Sequence, residues 1–151
     1  MATGNGVSAG RFITGVRGLD TVLQGGLPAE RAYLVRGGPG VGKTTLGLQF
    51  LAHAPGESLL ITLGESGDQL RAEAASVGLS LDGVTIVDLS PTGDDPAEGE
   101  PGGIFHPGET DREPLLDRIR DSVEAAAPRR VFIDSLTQFR YLAPDAFQFR
   151  K

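Results

Sequence analysis

Four short apolar runs alternate along the chain with segments whose apolar residues recur every three or four positions. The runs are Ala32-Tyr33-Leu34-Val35-Arg36, Ser58-Leu59-Leu60-Ile61-Thr62-Leu63, Val84-Thr85-Ile86-Val87-Asp88 and Arg129-Arg130-Val131-Phe132-Ile133-Asp134-Ser135. Each has the length and β-branched content of a strand, and the second is apolar on successive positions, as strands buried on both faces of a parallel sheet are. Between them the period changes. Thr44-Thr45-Leu46-Gly47-Leu48-Gln49-Phe50-Leu51 opens a helix with an apolar face. Ser66 and Gln69 have capping-box spacing ahead of a helix from Gly67 to Val77, whose Leu70, Ala74 and Val77 share one face and which Gly78 ends. The spacing predicts a further helix from Pro114 to Ala126, with Leu115, Ile119 and Val123 on one stripe, Leu116 beside it and Pro128 as its stop.

Strands that alternate with helices imply right-handed crossovers and a mostly parallel α/β sheet, with ligands at the carboxyl ends of the strands. Ahead of the first strand, Ile13 to Asp20 leads into a short helical stretch that ends at the turn Gly25-Gly26-Leu27-Pro28. The prolines, glycines and acids of Pro91 to Gly108 lack apolar periodicity and read as a long surface loop, which Phe105 would anchor.

Composition narrows the class. A chain of 151 residues, 39% hydrophobic and 23% charged, has room for one domain with a real core. Residues 1–11, small and glycine-rich, are expected to form a flexible lead-in, leaving residues 12–151 as that domain. The net charge of −6 argues against a nucleic-acid surface, which needs clustered lysine and arginine. The absence of cysteine removes disulfides and thiolate metal sites, and leaves only His53 and His106 as imidazole ligands. His53, late in its helix, reads as a surface residue. No stretch approaches the roughly twenty apolar residues that span a bilayer, and the first residues lack the blocks of a signal peptide, so the expected location is cytoplasmic without membrane contact.

The candidate chemistry lies between the first strand and its helix, where Gly37-Gly38-Pro39-Gly40-Val41-Gly42-Lys43-Thr44-Thr45 satisfies the phosphate-loop pattern G-x-x-x-x-G-K-[ST] in the strand-loop-helix context that pattern requires. Glycines Gly37, Gly38, Gly40 and Gly42 are expected to take positive φ and turn backbone N–H groups inward, and the helix N-terminus adds partial positive charge for phosphate oxygens. Lys43 would reach the β- and γ-phosphates of a triphosphate. The Thr44 hydroxyl would serve a magnesium ion, which prefers oxygen ligands. Two acids end strands on the same side: Asp134, placed to orient magnesium with Ser135 beside it, and Glu65, placed to position and polarise a water for in-line attack on the γ-phosphate.

With those residues in place the chain resembles the KaiC-like branch of the RecA and RadA ATPase superfamily from about Phe12 to its last residue. The opening ITGVRGLDTVLQGGLPAERAYLVRGGPGVGKTTLGLQFL and the later ITLGESGDQL and VFIDSLTQFRYLAPD carry the likeness. The resemblance implies a RecA-type P-loop fold, three α/β/α layers around a mostly parallel sheet, and assembly into homo-oligomeric rings, hexamers by analogy, with ATP between neighbours. It implies that the residues from Gly37 to Thr45 bind ATP, that Thr44 and Asp134 serve magnesium, and that Lys43 and Glu65 carry hydrolysis in a signalling or assembly role. The clock proteins of that family place two adjacent glutamates after the second strand; here Gly64 occupies the first place, so autokinase activity is not implied. The family core continues past the Asp134 strand, and one of its later strands lies between the phosphate-loop strand and the Asp134 strand. The chain is therefore expected to be an incomplete core with a gap in its own sheet. Phe139, Tyr141, Phe147 and Phe149 then read as core or subunit contacts. Two other functions stay open: a recombinase of the RadA or RecA kind, set against the acidic charge, and a nucleotide-sensing oligomerisation domain with little turnover. A guanine-specific GTPase lacks its Asn-Lys-x-Asp motif here.

Overall fold

The computed structural model describes residues 10–90 and 112–137. The chain enters through strand β1 (Arg11–Phe12), helix α1 (Arg17–Val22) and strand β2 (Leu27–Pro28), and β1 pairs antiparallel with β2. This ribbon was not foreseen from the sequence; only its turn residues were. Gly26 there has φ +108° and lies so close to the facing strand that an added Cβ would sit 2.3 Å from the Phe12 carbonyl oxygen. Asp20 closes the segment, accepting hydrogen bonds from the Thr14 N–H and hydroxyl, both at 2.7 Å.

The remaining elements are α2 (Lys43–Ala52), β3 (Ser58–Thr62), α3 (Gly67–Ser76), β4 (Thr85–Asp88), α4 (Arg112–Ala126) and β5 (Arg130–Asp134). Strands β4, β3 and β5 form a parallel sheet in that order, with Leu60 opposite both Ile86 and Phe132, and Thr62 opposite both Asp88 and Asp134. The parallel α/β architecture expected from the pattern is the one observed. All five residues of β3 are buried, which explains its nearly continuous apolar run: a central parallel strand has no solvent face.

Because side chains alternate across a sheet, Leu60 faces α2 and α3, where it joins Leu48, Leu51, Leu70, Ala74, Leu81 and Val84 in one core cluster, with Ile86 and Phe132 packed against it. Leu59 and Ile61 point to the opposite side and are also fully buried, and α4 contacts β3. Each fully buried leucine of this kind contributes about 2 kcal/mol of transfer free energy.

Local signals placed the helices well. Ser66 and Gln69 form the reciprocal capping box at the start of α3, and Gly78 follows it with φ +77°. Val77, expected on the buried face, is 52% exposed because α3 ends at Ser76 and Val77 has already left helical geometry. Helix α4 begins at Arg112, two residues before the expected Pro114; proline is tolerated there because N–H groups of a first turn have no intrahelical acceptor. Its Leu115, Ile119 and Val123 are half-buried, whereas Leu116 is exposed.

The largest difference concerns the first expected strand. Ala32 to Arg36 forms no strand; all five residues are exposed. A strand exists by exchanging hydrogen bonds with a neighbour, and β5, paired with β3 on one side, has no partner on its other side among the described residues. The expected loop from Pro91 to Gly108 with Phe105 and His106, the lead-in before Gly10, and Phe139, Tyr141, Phe147 and Phe149 lie outside the described residues.

Candidate nucleotide site

Parallel pairing aligns the carboxyl ends of β3 and β5, and hydrogen bonds continue beyond the strands from the Leu63 N–H to the Asp134 carbonyl at 2.7 Å. Glu65 and Asp134 are thereby carried to one end of the sheet. Helix α2 begins at that same end, and the Thr44 hydroxyl donates to Asp134 Oδ2 at 2.7 Å. Thr44, Thr62, Gly64, Glu65, Asp134 and Ser135 line one open cleft of ≈ 230 Å³. Of the three segments expected at strand ends, Glu65 and Asp134 meet in this cleft beside Thr44 and Ser135, whereas the loop at Gly37 follows no strand.

The loop itself is exposed from Gly37 to Gly42, and Lys43, Thr44 and Thr45 are half-buried in the first turn of α2. Gly40 and Gly42 have φ of +74° and +86°, so glycine is required there. Gly37 and Gly38 were expected to share that conformation and do not; Gly37 is instead crowded by Val41, whose Cγ2 lies 2.6 Å from where a Cβ would stand. The Lys43 ammonium donates to the Gly38 carbonyl at 2.7 Å, folding back over the loop. Neither Lys43 nor the glycines of the loop belong to the lining of the cleft formed by Thr44 and the acids.

Two contributors escaped sequence reasoning. Thr62 is fully buried at the end of β3, and its hydroxyl donates to the Glu65 carbonyl oxygen at 2.5 Å, fixing the turn that presents Glu65. Its signal was a hydroxyl residue closing an otherwise apolar run. At the far end of β5, Arg130 is buried between the rings of Phe12 and Phe50, 5.1 Å and 4.7 Å from their centroids. One of its terminal nitrogens donates to the carbonyls of Ile13 at 3.0 Å and Phe50 at 2.7 Å. Burial lowers the pKa of this guanidinium, which nevertheless remains a cation at any ordinary pH. His53 is exposed just after α2 and does not line the cleft.

The donor set suits a hard divalent cation held mainly by phosphate and water. A threonine hydroxyl and one carboxylate stand at hydrogen-bond distance, and no group of three or more His, Cys, Asp or Glu able to hold a metal occurs among the described residues. Magnesium, which keeps several waters and takes one or two protein ligands beside substrate phosphates, fits that arrangement; a metal that needs a full protein cage does not. No helix among the described residues is long and apolar enough to cross a membrane.

The chain is similar in sequence to known proteins. The family model described as the KaiC ATPase matches residues 12–151. A circadian clock oscillator protein KaiC of Prochlorococcus marinus subsp. pastoris is 37% identical over 136 residues, covering 82% of this chain and 25% of its own length. A UPF0273 protein of Methanopyrus kandleri is 33% identical over 135 residues, covering 84% of this chain and 54% of its own. The chain thus spans about a quarter of the length of the clock proteins it matches. Its parallel sheet, glycine loop and family match together establish that the chain belongs to the KaiC family of RecA-like ATPases, as an ATP-binding module.

Proposed function

We propose that this module binds ATP with magnesium and hydrolyses it, and that turnover drives a change of conformation or assembly in a cytoplasmic signalling protein that works as a homo-oligomeric ring. The observation that carries the reading is the Thr44 hydroxyl at 2.7 Å from Asp134 in a cleft that Glu65 also lines. In it, the residues from Gly37 to Thr45 cradle the phosphates through backbone N–H groups and the start of α2, and Lys43 exchanges its Gly38 carbonyl for phosphate oxygens. Thr44 and Asp134 hold the magnesium ion, whose charge offsets that of the phosphates when bound. Glu65, exposed at the rim of the cleft, orients a water toward the γ-phosphate. The ring, the partner and the signalling role rest on family likeness, and the clock function of the relatives belongs to proteins several times longer.

Calorimetry of ATP binding with and without magnesium tests the reading, with the mass in solution recorded alongside. Lys43→Ala is expected to weaken triphosphate binding by at least tenfold, the effect of losing one charge-assisted contact. Glu65→Gln is expected to keep ATP binding and abolish hydrolysis. Unchanged hydrolysis would remove Glu65 from the chemistry, and binding without turnover in the parent protein would favour a nucleotide-sensing oligomerisation domain.

A further inference from the structure

The Thr44–Asp134 pair is one end of a line of contacts along which α2 lies on β5. Three residues further along the helix, Gly47 meets Phe132; three further again, Phe50 meets Arg130 through its ring and its carbonyl. The partners on the strand are spaced by two, so Asp134, Phe132 and Arg130 share one face of the sheet, and the two elements run in opposite directions. The middle contact is the tightest. A Cβ at Gly47 would lie 2.1 Å, 2.2 Å and 2.4 Å from three atoms of the Phe132 ring, more than an ångström short of ordinary contact. The ring is itself packed against the core cluster, so α2 can come this close only because residue 47 has no side chain.

We propose that Gly47, Phe132 and Arg130 are positioning residues for the magnesium site, and that the close approach of α2 to β5 at Gly47 sets the distance between the Thr44 hydroxyl and the Asp134 carboxylate. Its magnesium part rests on the reading under Proposed function. Arg130 pins the far end of the helix by donating to the Phe50 carbonyl while holding Ile13 of the entry segment, so the helix is clamped there and spaced at Gly47. The start of α2 is then the free end of the lever. An O–H···O hydrogen bond spans only about 2.5–3.0 Å, so an ångström of displacement at the middle contact breaks it. None of the three residues lines the cleft, and each acts through the position of Thr44.

The chain contains no cysteine, so Thr44→Cys supplies a single thiol whose alkylation rate against pH reports the neighbouring carboxylate without any nucleotide. Asp134 beside the thiol raises its pKa. Adding Gly47→Ala is expected to lower that pKa by about 0.5–1 unit as the helix retreats, and adding Phe132→Leu to make room is expected to restore it. In the chain with Thr44 intact, Gly47→Ala is expected to raise the magnesium concentration for half-maximal ATP binding about tenfold, with binding in EDTA unchanged, and Gly47→Ala/Phe132→Leu to return it to within about twofold. A folded Gly47→Ala chain with an unshifted thiol profile overturns the proposal, as does a double variant that fails to recover. Should Gly47→Ala melt below the assay temperature, Arg130→Lys is the second variant: it keeps the charge and loses the planar fork, and an unshifted thiol there has the same meaning. If the thiol responds but the intact chain binds no magnesium–ATP, the function reading fails while the spacing role of Gly47 stands.

Discussion

Thr62 holds Glu65 by its backbone: the buried hydroxyl at the end of β3 donates to the Glu65 carbonyl oxygen at 2.5 Å, three residues on. The bond closes the turn from the strand into the capping box of α3, and so orients a glutamate whose side chain is itself exposed. Thr62→Val keeps the shape and deletes the donor. We expect it to lower stability by about 1 kcal/mol, to leave ATP affinity within about twofold and to slow hydrolysis about tenfold, the equivalent of one hydrogen bond in the barrier. Affinity by calorimetry and single-turnover hydrolysis separate these effects. A variant that loses binding and turnover in equal measure would show that Thr62 serves the whole sheet end and not Glu65.

Two adjacent glycines should respond differently to alanine. Gly26 has φ +108° and would put its Cβ 2.3 Å from a backbone oxygen, whereas Gly25, with φ +101°, has its nearest neighbour, the Arg11 side chain, at 3.7 Å. Gly25→Ala is expected to lose about 1–2 kcal/mol for its backbone conformation alone. Gly26→Ala meets the same penalty and must also open the β1–β2 ribbon, so its loss in urea unfolding should be clearly larger. Equal losses would mean that the ribbon contributes nothing to stability.

Asp88 gives the fold an acid-sensitive contact. Burial works to raise its pKa, but hydrogen bonds from the Ser90 hydroxyl, the Gly67 N–H and the Ser90 N–H outweigh it and hold the carboxyl below its usual value. A carboxyl depressed in the folded state stabilises above its unfolded pKa of about 3.9, and that contribution is lost as pH falls through the lower folded value. Because the Asp88 carboxyl is exposed and screened by solvent, Asp88→Ala is expected to lose only about 0.5 kcal/mol at pH 7, chiefly at the start of α3, and the gap to the parent should shrink below about pH 4. Denaturant midpoints at both pH values test this; an equal gap would assign the effect to packing and not to charge.

What the sequence alone determined was local or periodic. The capping box of Ser66 and Gln69, the stop at Gly78, the buried run of β3 and the phosphate-loop pattern are each encoded within one or two turns of chain, where intrinsic preference and hydrophobic spacing suffice. The placement of Glu65 and Asp134 at strand ends followed from the rule that parallel strands present their carboxyl ends together. Tertiary structure decided the rest, because it depends on partners distant in sequence. Ala32 to Arg36 has the pattern of a strand and is none, since a strand requires a neighbour to bond with and the pattern does not encode one. The pairing of β1 with β2 involves two residues a side, too few for periodicity to register. Thr44 and Asp134 are 90 positions apart, and their contact exists because Gly47 lets α2 approach Phe132 and Arg130 holds the helix at its other end. Sequence chose the chemical groups of the site; the packing of one helix on one strand set the distance between them.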